Sequence, residues 1–132
     1  MIIDSSALVS VLLAEPDASR YAAALSQPGP RRLSAGTLLE VSIVIDGRRN
    51  PLLSARLDEL IREARATIEP VTANQAALAR QAYRDFGRGS GHPANLNFGD
   101  CFAYALAKDL GEPLLYKGDN FVHTDIRSAL DT

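Results

Sequence analysis

The sequence predicts a single α/β domain, a parallel β-sheet sandwiched between α-helices. Three observations lead there. Short apolar runs alternate with longer segments of helical periodicity, the pattern of repeated βαβ units. The length, 132 residues, suits one domain and can bury a core without disulfides or structural metal. The composition, 46% hydrophobic and 23% charged, is that of an ordinary globular chain and excludes disordered, collagenous and fibrous classes.

Each element has its own signal. Met1 to Asp4 reads as a short buried strand. From Ser5 to Leu13 the apolar residues Ala7, Leu8, Val11 and Leu12 share a helical face, with Ser5 or Ser6 as the cap. Pro16 suits the first turn of a second helix running to Leu25. After the loop Gln27-Pro28-Gly29-Pro30, Arg31 to Ser34 is a strand. Gly36 to Gly47 is a helix apolar almost all round, which predicts burial on more than one side, by the core and by a partner subunit. Asn50-Pro51 breaks the chain, and Leu53, Leu57, Leu60, Ile61 and Ala64 then keep helical spacing. Thr67 to Pro70 is a strand. Thr72 to Phe86 is a helix with Ala76, Ala79, Tyr83 and Phe86 inward. Gly87 to Asn95, rich in Gly and Pro, is a mobile loop. Phe98, Cys101, Phe102, Ala105 and Leu106 place a helix over 97–110, which Gly111 and Pro113 end. Leu114 to Tyr116 is a buried strand, Lys117-Gly118-Asp119-Asn120 a turn, and the segment from Thr124 one last short strand.

Several function classes fall away. One cysteine, Cys101, allows neither an internal disulfide nor a multi-thiolate zinc site. No apolar stretch approaches the length of a membrane span. The opening Met-Ile-Ile-Asp has no basic leader, so the expected location is the cytoplasm. The net charge of −2 argues against nonspecific nucleic-acid binding. Twelve of the 14 basic residues are Arg, which fits either genome composition or bidentate phosphate contacts.

The acids carry the chemistry. In parallel sheets ligands sit beyond the carboxyl ends of the strands. Asp4 ends the first strand, Asp119 follows the strand 114–116, and Asp100 lies in the first turn of its helix. Glu40 sits among Leu38, Leu39 and Val41, where an uncompensated carboxylate is costly. Each has a bland reading: Asp4 as a helix cap, Asp100 as a helix-dipole partner, Asp119 as a turn residue, Glu40 on a solvated stripe. Converging carboxylates repel and raise each other's pKa, and a divalent cation relieves that. Oxygen ligands favour Mg²⁺ or Mn²⁺ over zinc. Three or four acids suit two ions about 3.5–4 Å apart, as in nucleases and phosphatases. Two Mg²⁺ would turn the net charge positive. Arg31, Arg32, Arg48, Arg49, Arg84, Arg88 and Lys117 then become candidates to line a groove for a phosphate backbone.

These residues carry a family resemblance. The runs Ile2-Ile3-Asp4-Ser5-Ser6-Ala7-Leu8, Leu96-Asn97-Phe98-Gly99-Asp100-Cys101-Phe102 and Leu114-Leu115-Tyr116-Lys117-Gly118-Asp119-Asn120-Phe121, with the Glu40 helix between them, resemble PIN-domain ribonucleases. The similarity is greatest to the toxin half of VapBC toxin–antitoxin pairs and covers essentially the whole chain. It implies a Mg²⁺-dependent cut in RNA, a homodimer, and inhibition by a cognate VapB-like antitoxin. It implies catalytic roles for Asp4, Glu40, Asp100 and Asp119, with Asp4, Asp100 and Asp119 on the metal and Glu40 completing the shell or activating water. Family members often have two adjacent acids in the last motif, and here the second position is Asn120.

The remaining polar residues have supporting or structural readings. Ser6 either bonds a site carboxylate or phosphate, or caps its helix. Asn97 either orients Asp100 or caps. Cys101 is a packed small hydrophobe, His92 a solvated loop residue and Asp125 a cap or surface acid. Tyr83, Phe86, Phe98 and Phe102, at helical spacing, are expected in the core rather than as base-stacking platforms. Two rivals to the nuclease reading are a Mg²⁺-dependent phosphatase and a non-catalytic nuclease-like binding module. Ser6, where aspartyl-nucleophile phosphatases commonly place a second Asp, counts against the first. The presence of all four acids counts against the second.

Overall fold

Successive residues of a strand point to opposite faces of a sheet, and two adjacent pairs, Ile2-Ile3 and Leu114-Leu115, build both cores of this protein. The computed structural model describes residues 1–131. Strands β1 (Ile2–Ile3), β2 (Arg32–Ser34), β3 (Thr67–Glu69) and β4 (Leu114–Leu115) form one parallel sheet in the order β3-β2-β1-β4. Ile2 pairs with Leu114 and Ile3 with Leu115. Ile3 and Leu115 enter a core with Leu8, Leu33, Val41, Ile45 and Leu57. Ile2 and Leu114 enter a second core with Leu96, Leu106 and Phe121. Helices α1 (Ser5–Leu12), α2 (Ala18–Leu25), α3 (Ala35–Asp46) and α4 (Pro51–Glu63) feed the first core. Helices α5 (Ala73–Phe86) and α6 (Phe98–Leu110) feed the second. Strands buried on both faces read as continuous apolar runs, which is why such short ones were legible.

The chain steps from β1 out to β2 and β3, then returns to place β4 on the other side of β1. The strand order therefore reverses between β1 and β4, the position where open α/β sheets form their ligand crevice. Asp4 leaves β1 there, and the 117–120 turn leaves β4 beside it.

Several expectations are corrected. The cap of α1 is Asp4 rather than Ser5 or Ser6, because its carboxylate accepts from Ser6 N while its own backbone stays extended. The second helix begins at Ala18, after Asp17, and leaves Pro16 outside. On α3 the core side is Thr37, Val41 and Ile45, and Leu39 and Ile43, 62% and 63% exposed in the single chain, form the second apolar face expected to meet a partner. On α5 Phe86 packs against the second core as expected and Ala79 is half-buried, but Gln75 and Ala82 are the buried residues, while Ala76 and Tyr83 are exposed. The final segment makes a single parallel bridge, Ser128 to Leu114, followed by the 3₁₀ turn Ala129–Asp131. The 87–95 loop is closed at its base by hydrogen bonds between Arg88 N and Leu96 O and between Leu96 N and Phe86 O. Among the described residues no helix is long and apolar enough to cross a membrane.

Candidate active site

Asp4 is held by one oxygen and free at the other. Its Oδ2 accepts from Ser6 N at 3.1 Å and from Ser6 Oγ at 2.6 Å. Ser6 Oγ in turn accepts from Lys117 N at 2.9 Å, so Ser6 ties the end of β1 to the segment after β4. Among the described residues Asp4 Oδ1 is buried and has no hydrogen-bond partner. Burial pushes this carboxyl up to about 7, against the lowering bonds from Ser6 and with added repulsion from Asp100 and Glu40.

Asp100 comes from the N-terminus of α6, where Asn97 both caps the helix and fixes the acid. Asn97 Oδ1 accepts from Asp100 N at 2.9 Å, and Asn97 N donates to Asp100 Oδ2 at 3.0 Å, a reciprocal capping box. The two readings of Asn97 are thus one arrangement. Asn120 Nδ2 also donates to Asp100 Oδ2, at 3.1 Å.

Glu40 reaches the same place from α3 because two glycines let α3 and α6 touch. A Cβ on Gly36 would overlap the Phe102 ring, and a Cβ on Gly99 would overlap the Glu40 carboxylate. Glu40 is half-buried. Burial raises its pKa, a bond from Ser5 lowers it, and Asp100 raises it again. Among the described residues its Oε1 is buried without a donor.

Asp4, Glu40 and Asp100 are therefore brought together, with Ser6 and Asn97 as their supports. Asp119 lies exposed in the bend after Gly118, outside the buried group, and the acids that repel Asp4 are Asp100 and Glu40. Asn120, its neighbour, makes the contact to Asp100 instead. Gly99 is a further site residue, and its one signal in the sequence is the absence of a side chain next to an acid, Asp100.

The candidate phosphate-binding cations divide. Lys117 Nζ is spent on Asp17 at 2.7 Å and Glu15 at 3.0 Å. Arg32 pairs with Glu69 and Glu112, and Arg31 bonds the carbonyls of Ala64 and Gln27. These three hold the fold. Cys101 is buried, its thiol pushed up to about 11 by burial and by Asp100, as suits a packed hydrophobe. His92 is half-buried; its Nδ1 accepts from Ala94 N, and its ring meets Phe86 edge-on, so it braces the loop from within. Asp125 accepts from Tyr104 OH at 2.7 Å and pairs with Lys108.

The donor set fits a hard divalent cation. All the donors are carboxylate oxygens, and two of them are buried with no proton donor, which is costly unless a positive charge meets them. Among the described residues, no three His, Cys, Asp or Glu side chains already stand close enough together to enclose an ion.

Beside Glu40 a groove of about 770 Å³ opens between α5 and α6, walled by Tyr83, Phe98, Phe102, Arg80 and Arg88. Contrary to the core position its spacing predicts, Phe98 is 78% exposed, because it is the first residue of α6 and projects beyond the packed turn.

Comparison with known proteins agrees with this architecture. The PIN domain family model matches residues 1–127. The chain is 59% identical over 131 residues to Ribonuclease VapC28 of Mycobacterium tuberculosis, covering 99% of this chain and 98% of the relative. It is 46% identical over 129 residues to Ribonuclease VapC42 of the same species, covering 98% of each. Two solved structures share the fold. One is the Mycobacterium tuberculosis toxin VapC20, described as cleaving the sarcin–ricin loop (TM-score 0.70, 18% identity, 95% of each chain). The other is a toxin–antitoxin complex from Klebsiella pneumoniae (TM-score 0.66, 15% identity, 91% of this chain and 88% of that one).

Proposed function

The chain belongs to the PIN-domain family and, within it, to the VapC ribonucleases, and from that premise we propose a Mg²⁺-dependent endoribonuclease toxin, with Mn²⁺ as an alternative ion, acting in the cytoplasm. Asp4, Glu40 and Asp100 form its centre, and Asp119 is an outer acid at the rim. The two buried carboxylate oxygens without a donor, Asp4 Oδ1 and Glu40 Oε1, carry this reading.

When bound, a divalent ion activates water and neutralises charge that builds on phosphate oxygens. The protein's own groups do the rest. Ser6 occupies Asp4 Oδ2 and leaves Oδ1 as the ligand oxygen. Asn97 and Asn120 hold Asp100 by its Oδ2 and so fix the orientation of the carboxylate. Glu40 borders the open groove and has a raised pKa, so it is the acid suited to accept a proton from the attacking water.

Purified protein incubated with labelled RNA should cut it with millimolar Mg²⁺ and stop with EDTA. Asp100→Asn should abolish cleavage with circular dichroism unchanged. An active Asp100→Asn protein would overturn the assignment.

For partners, a cognate VapB-like antitoxin and a second copy of the chain are proposed. The exposed apolar stripe Leu39, Ile43 and Val44 on α3 is the protein-contact face. Co-expression with the neighbouring small open reading frame should yield a co-purifying complex without ribonuclease activity. A product that neither binds nor inhibits would remove the pairing.

A further inference from the structure

Phe98 stands in the first turn of α6, directly after the cap Asn97 and two residues before Asp100. A phenylalanine left 78% exposed beside an acid site adds little to the core, so its ring is available to a ligand. Phe102 holds that ring edge-to-face, with centroids 5.0 Å apart and planes at 81°. Across the groove, Tyr83 is 45% exposed and packs over Gly87, where a Cβ would come 2.6 Å from Tyr83 Cδ1. Arg80 and Arg88 line the same groove, and among the described residues neither guanidinium has an ion-pair or hydrogen-bond partner. Asn97, Gly99 and Glu40, which also belong to the acid site, line the same groove.

We propose that this groove is a nucleotide subsite that takes one unpaired base of a single-stranded RNA. Phe98 and Tyr83 are its stacking surfaces, and Arg80 and Arg88 meet the flanking phosphates. The subsite rests on the endoribonuclease reading for its connection to cleavage. Three features select this occupant. Aromatic faces beside unpaired arginines match a base beside phosphates. The volume, about 770 Å³, lies within the range of small-ligand sites and admits a nucleotide. The shared residue Glu40 makes the groove continuous with the acids, so a base seated here places its neighbouring phosphodiester at them. Stacking needs a free base face, which a duplex does not offer. Leu39, Ile43 and Val44, the exposed apolar stripe of α3, do not line this groove.

Fluorescence anisotropy with a labelled pool of short random single strands, in EDTA so that nothing is cut, tests the subsite. Wild type should bind the single strands more tightly than a duplex of equal length. Phe98→Ala should lose about five-fold or more in affinity, since stacking on one aromatic residue is worth at least that. Phe98→Tyr should restore it. Leu52→Ala, at an equally exposed apolar residue outside the groove, should bind as wild type does. Sedimentation velocity on the same samples tests the rival occupant. If Phe98→Ala keeps its RNA affinity, or loses it only together with an oligomer, the groove is not a base subsite. Wild type that prefers the duplex also overturns it. Wild type that binds single strands through Phe98 yet cuts no RNA in Mg²⁺ would leave the subsite standing and remove the endoribonuclease reading.

Discussion

Gly99 and Glu40 share one space: a Cβ on Gly99 would overlap Glu40 Oε2 and Cδ. The carboxylate of α3 can therefore lie against the first turn of α6 only because position 99 carries no side chain. The overlap falls on the far end of a flexible side chain, not on backbone. Gly99→Ala should accordingly fold normally. Its helix propensity gain of about 1 kcal/mol offsets the crowding. Glu40, however, must swing away from Asp100. RNA cleavage should fall by about ten-fold or more, a loss of roughly 1.4 kcal/mol in the transition state. The melting temperature in EDTA should stay near the wild-type value. Equal activity in Gly99→Ala would show that Glu40 is not needed where it stands.

The β1 and β4 runs, the grouping of Asp4, Glu40 and Asp100, and the α6 cap were legible in the sequence because each depends on local chemistry. Apolar pairs make buried strands, an Asn three residues before an Asp makes a capping box, and a carboxylate among leucines is conspicuous. Contacts between elements were not legible. Nothing local says that Phe98 lies outside the packed turn while Phe102, four residues on, meets Gly36. The spacing of Tyr83 matches the inward face of an idealised helix, yet α5 is rotated so that Gln75 and Ala82 face in. Lys117 looked like a phosphate ligand until Glu15 and Asp17, about a hundred residues away in sequence, were brought to it.

Asn120 stands where a second acid is often found, and its amide donates to Asp100 Oδ2 at 3.1 Å. Asn120→Asp would replace that donor with a carboxylate at the same distance. Without metal the two charges repel, so the melting temperature in EDTA should fall. With millimolar Mg²⁺ the extra ligand charge should make the gain in melting temperature larger than in wild type. Asn120→Ala should lose only the hydrogen bond, about 1–2 kcal/mol, and gain less from Mg²⁺. Thermal melts of the three proteins with and without Mg²⁺ decide this. A smaller Mg²⁺ gain in Asn120→Asp would place residue 120 outside the metal's reach.

Asp119 is exposed and does not share the buried cluster. Asp119→Asn should therefore reduce Mg²⁺-dependent cleavage less than Asp100→Asn does. Its stability in EDTA should stay within about 0.5 kcal/mol of wild type, as for an ordinary surface change. A loss as complete as that of Asp100→Asn would make Asp119 a full member of the site, drawn in when the ion binds.

Asp4 couples the site to stability. Burial is the main reason that its folded pKa is raised from 3.8 to about 7. Below about pH 4 the acid is protonated in both states and has no effect. Between about 4 and 7 the unfolded chain releases the proton while the fold retains it. The native state then binds more protons, so rising pH destabilises the metal-free protein. The total is on the order of a few kcal/mol, complete above about pH 7. Glu40, also raised, acts in the same direction. Asp4→Asn keeps a capping oxygen for Ser6 N and removes the titration. In EDTA it should melt higher than wild type at neutral pH, and its melting temperature should fall less as pH rises from 4 to 7. Mg²⁺ reverses the trend in wild type: the ion needs the ionised acid, so its stabilising effect should grow as pH rises through about 7. The variant should gain little from Mg²⁺ at any pH. If Asp4→Asn melts lower than wild type in EDTA and gains as much from Mg²⁺, Asp4 is only the cap of α1.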